Sequence, residues 1–120
     1  MLARMNPNRR RGEVGAVLDG APRVLCLTLG ALAELETAFG AEDLGALVKR
    51  FGGGRMTAGD IVRIVGAGLR GGGNVFSDDE VAAMTIEGGA RGFAGLVGRL
   101  LTATFGDAEE ASAAEGRNPL

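Results

Sequence analysis

The chain contains no histidine, tryptophan or tyrosine, and its single cysteine is Cys26. Histidine titrates near neutral pH and is the commonest metal ligand, so its absence excludes histidine-based catalytic triads and most zinc sites. One cysteine cannot form an internal disulfide or a CxxC metal site. These absences do not exclude catalysis by carboxylates, lysine or serine. We nevertheless expect no enzyme, with no catalytic residues, no metal site and no cofactor.

Long apolar runs are also missing. No stretch approaches the roughly 18 apolar residues of a membrane-spanning helix. The basic N-terminus is not followed by the apolar segment of a secretory signal. These absences predict a protein without membrane association. We expect it in the cytoplasm, a reducing compartment where single cysteines persist as thiols.

The chain does contain charge at both ends. Residues 1–12 carry four arginines and no acid, a charge of +4. Residues 107–120 carry four acidic residues against one arginine, a charge of −3. We expect a basic flexible arm over 1–12, a single α+β domain over 13–106 and an acidic disordered tail over 107–120. The arm could contact nucleic acid, but arginines without interleaved aromatic residues are more typical of a solvated segment.

An N-terminal two-stranded β-hairpin is indicated by two apolar runs on either side of Asp19-Gly20. This pair favours the positive φ angles of a two-residue turn. The second run, residues 23–27, is apolar on both faces, so another element must cover it. The rest of the chain predicts five short helices, separated by glycines, at about 29–39, 43–51, 57–70, 78–88 and 90–105. Thr57 and Ser77, each followed three residues later by an acid, indicate capping boxes.

Gly66-Ala-Gly68-Leu-Arg-Gly71 matches the GxGxxG pattern of dinucleotide-binding folds. In those folds the glycines follow a strand, open a helix and let the backbone approach a pyrophosphate. Here Gly72-Gly73 would break such a helix, and no parallel βαβ unit is visible. We therefore interpret the motif as a helix C-terminus.

Two further clusters invite a chemical interpretation. Gly52-Gly53-Gly54-Arg55 could cradle an anion, but no Gly-Lys-Ser/Thr follows it, so a loop between helices is favoured. Asp78, Asp79 and Glu80 could suggest a metal or acid–base site. Acids in the first turn of a helix are expected from the helix dipole alone.

Glycines fall inside several predicted helices, and each costs about 1 kcal/mol relative to alanine. Gly30, Gly45, Gly92, Gly95 and Gly98 are examples. Helices that are weak alone need tertiary packing or a partner. Two interpretations stay open: an adaptable binding protein, or an ordinary core in a glycine-rich chain.

Several stretches in a fixed order resemble a known family. The chain is similar, over about 11–106, to the small tail-assembly-chaperone family of gene transfer agents and related prophages, which is also described as a phage tail tube protein. The stretches are Arg11-Gly-Glu-Val14, Leu27-Thr-Leu-Gly-Ala-Leu-Ala-Glu-Leu-Glu36, Ile64-Val-Gly-Ala-Gly-Leu-Arg-Gly71, Ser77-Asp-Asp-Glu-Val81 and Leu100-Leu-Thr-Ala-Thr-Phe-Gly106.

The resemblance implies a non-enzymatic chaperone that binds the tape-measure protein and brings tail tube subunits to it. Homo-oligomers are also possible. We expect binding through apolar side chains at loops and helix ends, and predict as contacts Phe51, Met56, Val75, Phe76 and Met84. The alternative for each is core packing.

Two other functions are considered. The first is a structural tail component, although the sequence predicts only two short strands from which a tube wall could be built. A small nucleic-acid-binding regulator is the other. Its second candidate helix, 78–88, is acidic and would repel phosphate, which makes nucleic acid an unexpected partner.

Overall fold

The structure is a computed structural model that describes residues 12–53 and 55–106. The predicted acidic tail, and the predicted basic arm except for Gly12, lie outside the described residues. The described elements form a two-stranded hairpin followed by five helices, which confirms the α+β prediction. Their bounds are β1 (Glu13–Leu18), β2 (Ala21–Cys26), α1 (Leu29–Phe39), α2 (Leu44–Gly52), α3 (Ala58–Gly71), α4 (Asp78–Ala82) and α5 (Gly89–Phe105).

The hairpin turns where the sequence predicts. β1 and β2 pair antiparallel from Glu13 opposite Cys26 to Leu18 opposite Ala21. Asp19 and Gly20 form the two-residue turn with φ angles of 52° and 77°. Both angles are positive, as the primed turns of tight hairpins require, and aspartate and glycine tolerate them better than other residues.

α3 is the central helix. It begins at Thr57, whose hydroxyl accepts from the amide of Asp60 while the Asp60 carboxylate accepts from the amide of Thr57, which completes the predicted capping box. Six consecutive residues, 64–69, are all buried. A helix buried all round must be enclosed by its neighbours. α3 packs against β2, α1, α4 and α5.

The other helices surround α3 and close one hydrophobic core. Fully buried side chains come from the hairpin, α1, α2, α3 and α5, and include Leu25, Leu35, Leu47, Leu69 and Leu100. α2 packs on α1 through Phe39 and Phe51, whose ring centroids lie 5.2 Å apart in an edge-to-face arrangement. The core is aliphatic with few aromatic rings, as the composition predicts.

The fourth helix is shorter than predicted. The sequence predicts a helix that continues to Gly88-Gly89, but α4 ends at Ala82. The chain then turns away because Thr85 is held by the hairpin turn. The amide of Asp19 donates to the Thr85 carbonyl at 2.9 Å, and the Asp19 carboxylate accepts from the Thr85 amide at 2.8 Å. These long-range bonds replace the helical bonds that the local pattern predicts.

Candidate partner-binding surface

The five predicted contact residues occupy different environments. Val75 is 91% exposed, in the loop between α3 and α4. Phe51 is only 6% exposed and belongs to the core. The other three are partly buried against that core: Met56, Phe76 and Met84. Val75 is therefore the one member of the set with a side chain fully presented to solvent, and the binding role of all five stays a prediction.

The GxGxxG segment lies within α3 and at its end, where it brings helix and hairpin together. A Cβ atom on Gly71 would overlap the carbonyl oxygen of Cys26, and one on Gly72 would overlap that of Val24. A Cβ on Gly68 would lie 2.7 Å from the Leu100 side chain. The spaces that glycines leave free in dinucleotide folds are therefore filled here by the protein's own atoms.

An apolar groove lies between α3, α4 and the start of α5, and we call it the α3/α5 groove. It encloses about 140 Å³ and is open to solvent along one side. All eight residues that line it are apolar: Ala58, Ile61, Val62, Val65, Val81, Ala82, Ala90 and Phe93. Small-molecule pockets usually measure about 300–1,000 Å³. The α3/α5 groove suits one or two inserted side chains better than a cofactor.

The sequence of α3 contains a signal for this groove in its apolar residues. α3 carries apolar residues at 61, 62, 64, 65 and 69, which cover more than one helix face. Ile61 is half-buried and lines the groove together with Val62. When a helix carries more apolar surface than the core can cover, part of that surface is left as an exposed apolar patch.

Arg70, near the C-terminal end of α3, connects this helix to the elements that pack around it. Its guanidinium donates to the carbonyl of Phe76 at 2.7 Å and forms ion pairs with Glu34 of α1 and Asp78 of α4. The hydrogen bond to Glu34 is the main cause that raises the pKa of Arg70, against the opposing effect of burial. Asp78 opens α4, so Arg70 also positions the helix that supplies Val81 and Ala82 to the groove.

Cys26 ends β2 beside the last turn of α3. Burial raises the pKa of its thiol, and the nearby carboxylate of Glu13 raises it further. Both effects favour the neutral thiol, whereas nucleophilic cysteines need a lowered pKa. The position of Cys26 is typical of a packing residue.

The described residues offer no group of three or more acidic, histidine or cysteine side chains arranged to hold a metal ion. None of the helices in the described ranges is both long enough and apolar enough to cross a bilayer. The acids Asp78 and Glu80 lie in the first turn of α4, where the Glu80 carboxylate caps the Ser77 amide at 2.9 Å.

Comparison with known proteins assigns the chain to a family. The family model described as phage tail tube protein, GTA-gp10, matches residues 11–107. This range includes every described helix and strand, and it confirms the resemblance drawn from the sequence. No curated protein and no solved structure gives a match.

Proposed function

This chain belongs to the GTA-gp10 phage tail tube protein family, and we propose that it acts there as a non-enzymatic tail assembly chaperone. In this role it binds the tape-measure protein and assists the assembly of tail tube subunits around it. Family membership makes phage-like tail proteins its expected partners. The observation that carries the chaperone proposal is the α3/α5 groove, an apolar surface that the fold itself leaves open.

The shape of the α3/α5 groove favours a helical partner. It is bounded by three helices, α3, α4 and α5, and the side chains of a partner helix can insert between them as ridges into a groove. Amphipathic helices bind such surfaces through a few apolar anchors one turn apart. The half-buried Phe93, Ile61 and Val62 supply the apolar walls that such anchors require. A long helical protein with a repeated apolar stripe could bind many copies of this chain.

The groove contains no charged side chain among its eight lining residues. A carboxylate placed at its rim would have to lose hydration whenever an apolar side chain enters, which costs free energy unless the charge is paired. Ala58 and Ala90 are exposed residues at the starts of α3 and α5. Glutamate is compatible with the first turn of a helix. Substitution there should leave the fold intact while it obstructs the groove.

The test is co-expression with the tape-measure protein of the same tail gene set. We expect the wild-type chain to raise the soluble fraction of the tape-measure protein and to be recovered with it by affinity purification. Ala58→Glu and Ala90→Glu should each reduce that recovery about tenfold or more. Ala33→Glu on the exposed face of α1 is the matched control and should bind as wild type. Equal recovery of all four chains would refute the groove as the binding surface.

Val75 provides a separate test of the predicted loop contacts. The variant Val75→Asp changes a side chain that touches little of the core. Loss of binding in this variant, with full binding in Ala90→Glu, would move the surface from the groove to the loop that follows α3. No binding by the wild-type chain would refute the chaperone proposal itself.

A structural tail component is the second candidate, because the family's own description is a tail tube protein. The described residues include only one two-stranded sheet, which is little material for a tube wall. The two functions differ in the fate of the protein. A chaperone should be absent from purified mature particles, whereas a tube component should be present at a fixed ratio to the other tail proteins by quantitative mass spectrometry.

A further inference from the structure

The α4 wall of the α3/α5 groove has few contacts of its own. α4 comprises only five residues, Asp78–Ala82, and Val81 is the one buried among them. A helix this short is not stable by itself. α3 and α5 contain 14 and 17 residues, and each contributes several fully buried side chains to the core. The position of α4 must therefore depend on contacts that other elements make at its two ends.

Polar contacts hold the chain on both sides of α4. At its start, the guanidinium of Arg70 donates to the Phe76 carbonyl at 2.7 Å and pairs with Asp78 at 3.1 Å. Three residues beyond its end, Thr85 is bound to Asp19 of the hairpin turn. The Asp19 carboxylate accepts from the amide of Thr85 at 2.8 Å and from its hydroxyl at 3.0 Å, and the Asp19 amide donates to the Thr85 carbonyl at 2.9 Å. Neither Asp19 nor Thr85 lines the groove.

Thr85 belongs to the connection between two walls of the groove. Ala82, on the α4 wall, precedes it by three residues, and Ala90, on the α5 wall, follows it by five. The connection also packs closely on α5, because a Cβ atom on Gly92 would overlap the carbonyl oxygen of Glu87. It is thus fixed to the hairpin at Thr85 and to α5 at Glu87. The bonds to the hairpin turn therefore act on the link that sets the distance between α4 and α5.

We propose that Asp19 is a positioning residue for the α3/α5 groove. Through Thr85 it holds α4 at the distance from α5 at which an apolar side chain of the partner fits between them. Without these bonds α4 spends part of its time elsewhere, and the apparent affinity for the partner falls by the fraction of time that is lost. The inference rests on the proposed function for the identity of the partner, the tape-measure protein, but not for the contact itself.

The test compares two substitutions of Asp19 in the full chain. Asp19→Gly keeps the positive φ of the turn and removes the carboxylate. Asp19→Asn tolerates the same φ and keeps a side-chain oxygen that accepts hydrogen bonds. Recovery of the co-expressed tape-measure protein should fall about fivefold with Asp19→Gly, which corresponds to about one net hydrogen bond. Asp19→Asn should recover it as the wild-type chain does.

Thr28→Ala separates positioning from general stability. The Thr28 hydroxyl accepts from the amide of Ala31 at 3.1 Å and caps α1, a helix that does not line the groove. This variant loses a hydrogen bond and some stability, while α4 keeps its contacts. Recovery of the tape-measure protein should stay at the wild-type level. The proposal is overturned if Thr28→Ala lowers recovery as much as Asp19→Gly does, or if Asp19→Gly binds as well as wild type.

A second measurement needs no partner. Phe93 lines the α5 wall of the groove, and Val81 and Ala82 line the α4 wall. An aromatic ring shifts the NMR signals of nearby methyl groups by an amount that depends on their distance from it. The methyl signals of Val81 and Ala82 should therefore move in Asp19→Gly and stay in place in Asp19→Asn.

The two measurements distinguish failure of the positioning role from failure of the proposed function. Methyl signals that move, together with a wild-type chain that binds no tape-measure protein, would refute the chaperone proposal and support the positioning role of Asp19. Methyl signals that stay in place in Asp19→Gly would overturn the positioning role, whatever the chain binds.

Discussion

The close contact between α3 and β2 predicts a large penalty for one added methyl group. Gly71 is the last residue of α3, and a Cβ atom there would overlap the carbonyl oxygen of Cys26. The obstacle is backbone, which cannot rotate aside as a side chain would. The variant Gly71→Ala must therefore separate α3 from the strand that covers the core, or distort one of them.

The expected change in the free energy of unfolding is the difference between two opposing effects. Overpacking costs about 1–3 kcal/mol, and the upper end applies because the overlap is with backbone. Alanine is better than glycine in a helix by up to about 1 kcal/mol. We expect a net loss of about 2 kcal/mol in the free energy of unfolding. For a domain of this size, that corresponds to a fall of about 10 °C in Tm.

Gly98→Ala is the matched control. Gly98 lies inside α5, is exposed, and has nothing within 4 Å of an added Cβ. The same substitution there should stabilise the protein by about 1 kcal/mol. Without tryptophan or tyrosine, the measurement is urea denaturation followed by far-ultraviolet circular dichroism. A Gly71→Ala variant as stable as Gly98→Ala would refute the close approach of α3 to β2.

Two further predictions concern the ends of the hairpin. Asp19→Ala removes the acceptor of two hydrogen bonds from Thr85 and leaves a residue ill suited to positive φ. We therefore expect the free energy of unfolding, measured by thermal denaturation, to fall by about 2 kcal/mol. Asp19→Gly, which keeps the backbone freedom, should lose less, and an equal loss would contradict this account of the turn. The raised pKa of Cys26 favours the folded state below the ordinary thiol pKa, and that stability is lost as pH rises through the raised value. Glu13→Gln should lower the pKa and speed alkylation of Cys26 at pH about 8.5, and an unchanged pH–rate profile would contradict the effect of Glu13.

Local signals in the sequence predicted most elements of the fold. The Asp19-Gly20 turn is confirmed, and so are the caps at Thr57 and Ser77 and the end of α1 at Gly40. Each of these depends on residues within four positions along the chain. α4 was predicted too long because its end depends on Asp19, 66 residues away from Thr85. A pattern of neighbouring residues cannot indicate a hydrogen bond between residues so far apart in the chain.

The binding surface was harder to predict than the fold. The position of Phe51 at a helix end predicts an exposed contact, but Phe51 packs against Phe39 of a different helix. The α3/α5 groove forms where three helices meet, so its outline depends on how they pack. Only the excess of apolar residues on α3, with Ile61 and Val62 beside Ile64 and Val65, indicates it in the sequence.

The glycines divide into two groups with different consequences for function. Gly68, Gly71 and Gly92 stand where a Cβ atom would strike neighbouring atoms, so their helices are kept in place by the packing that glycine permits. Gly95 and Gly98 have open space around them and make no such contact. They weaken α5 by about 1 kcal/mol each without a packing gain. Two such glycines lie in α5, which also borders the α3/α5 groove through Ala90 and Phe93, so the helix beside the proposed binding surface is one of the weaker helices of the described protein.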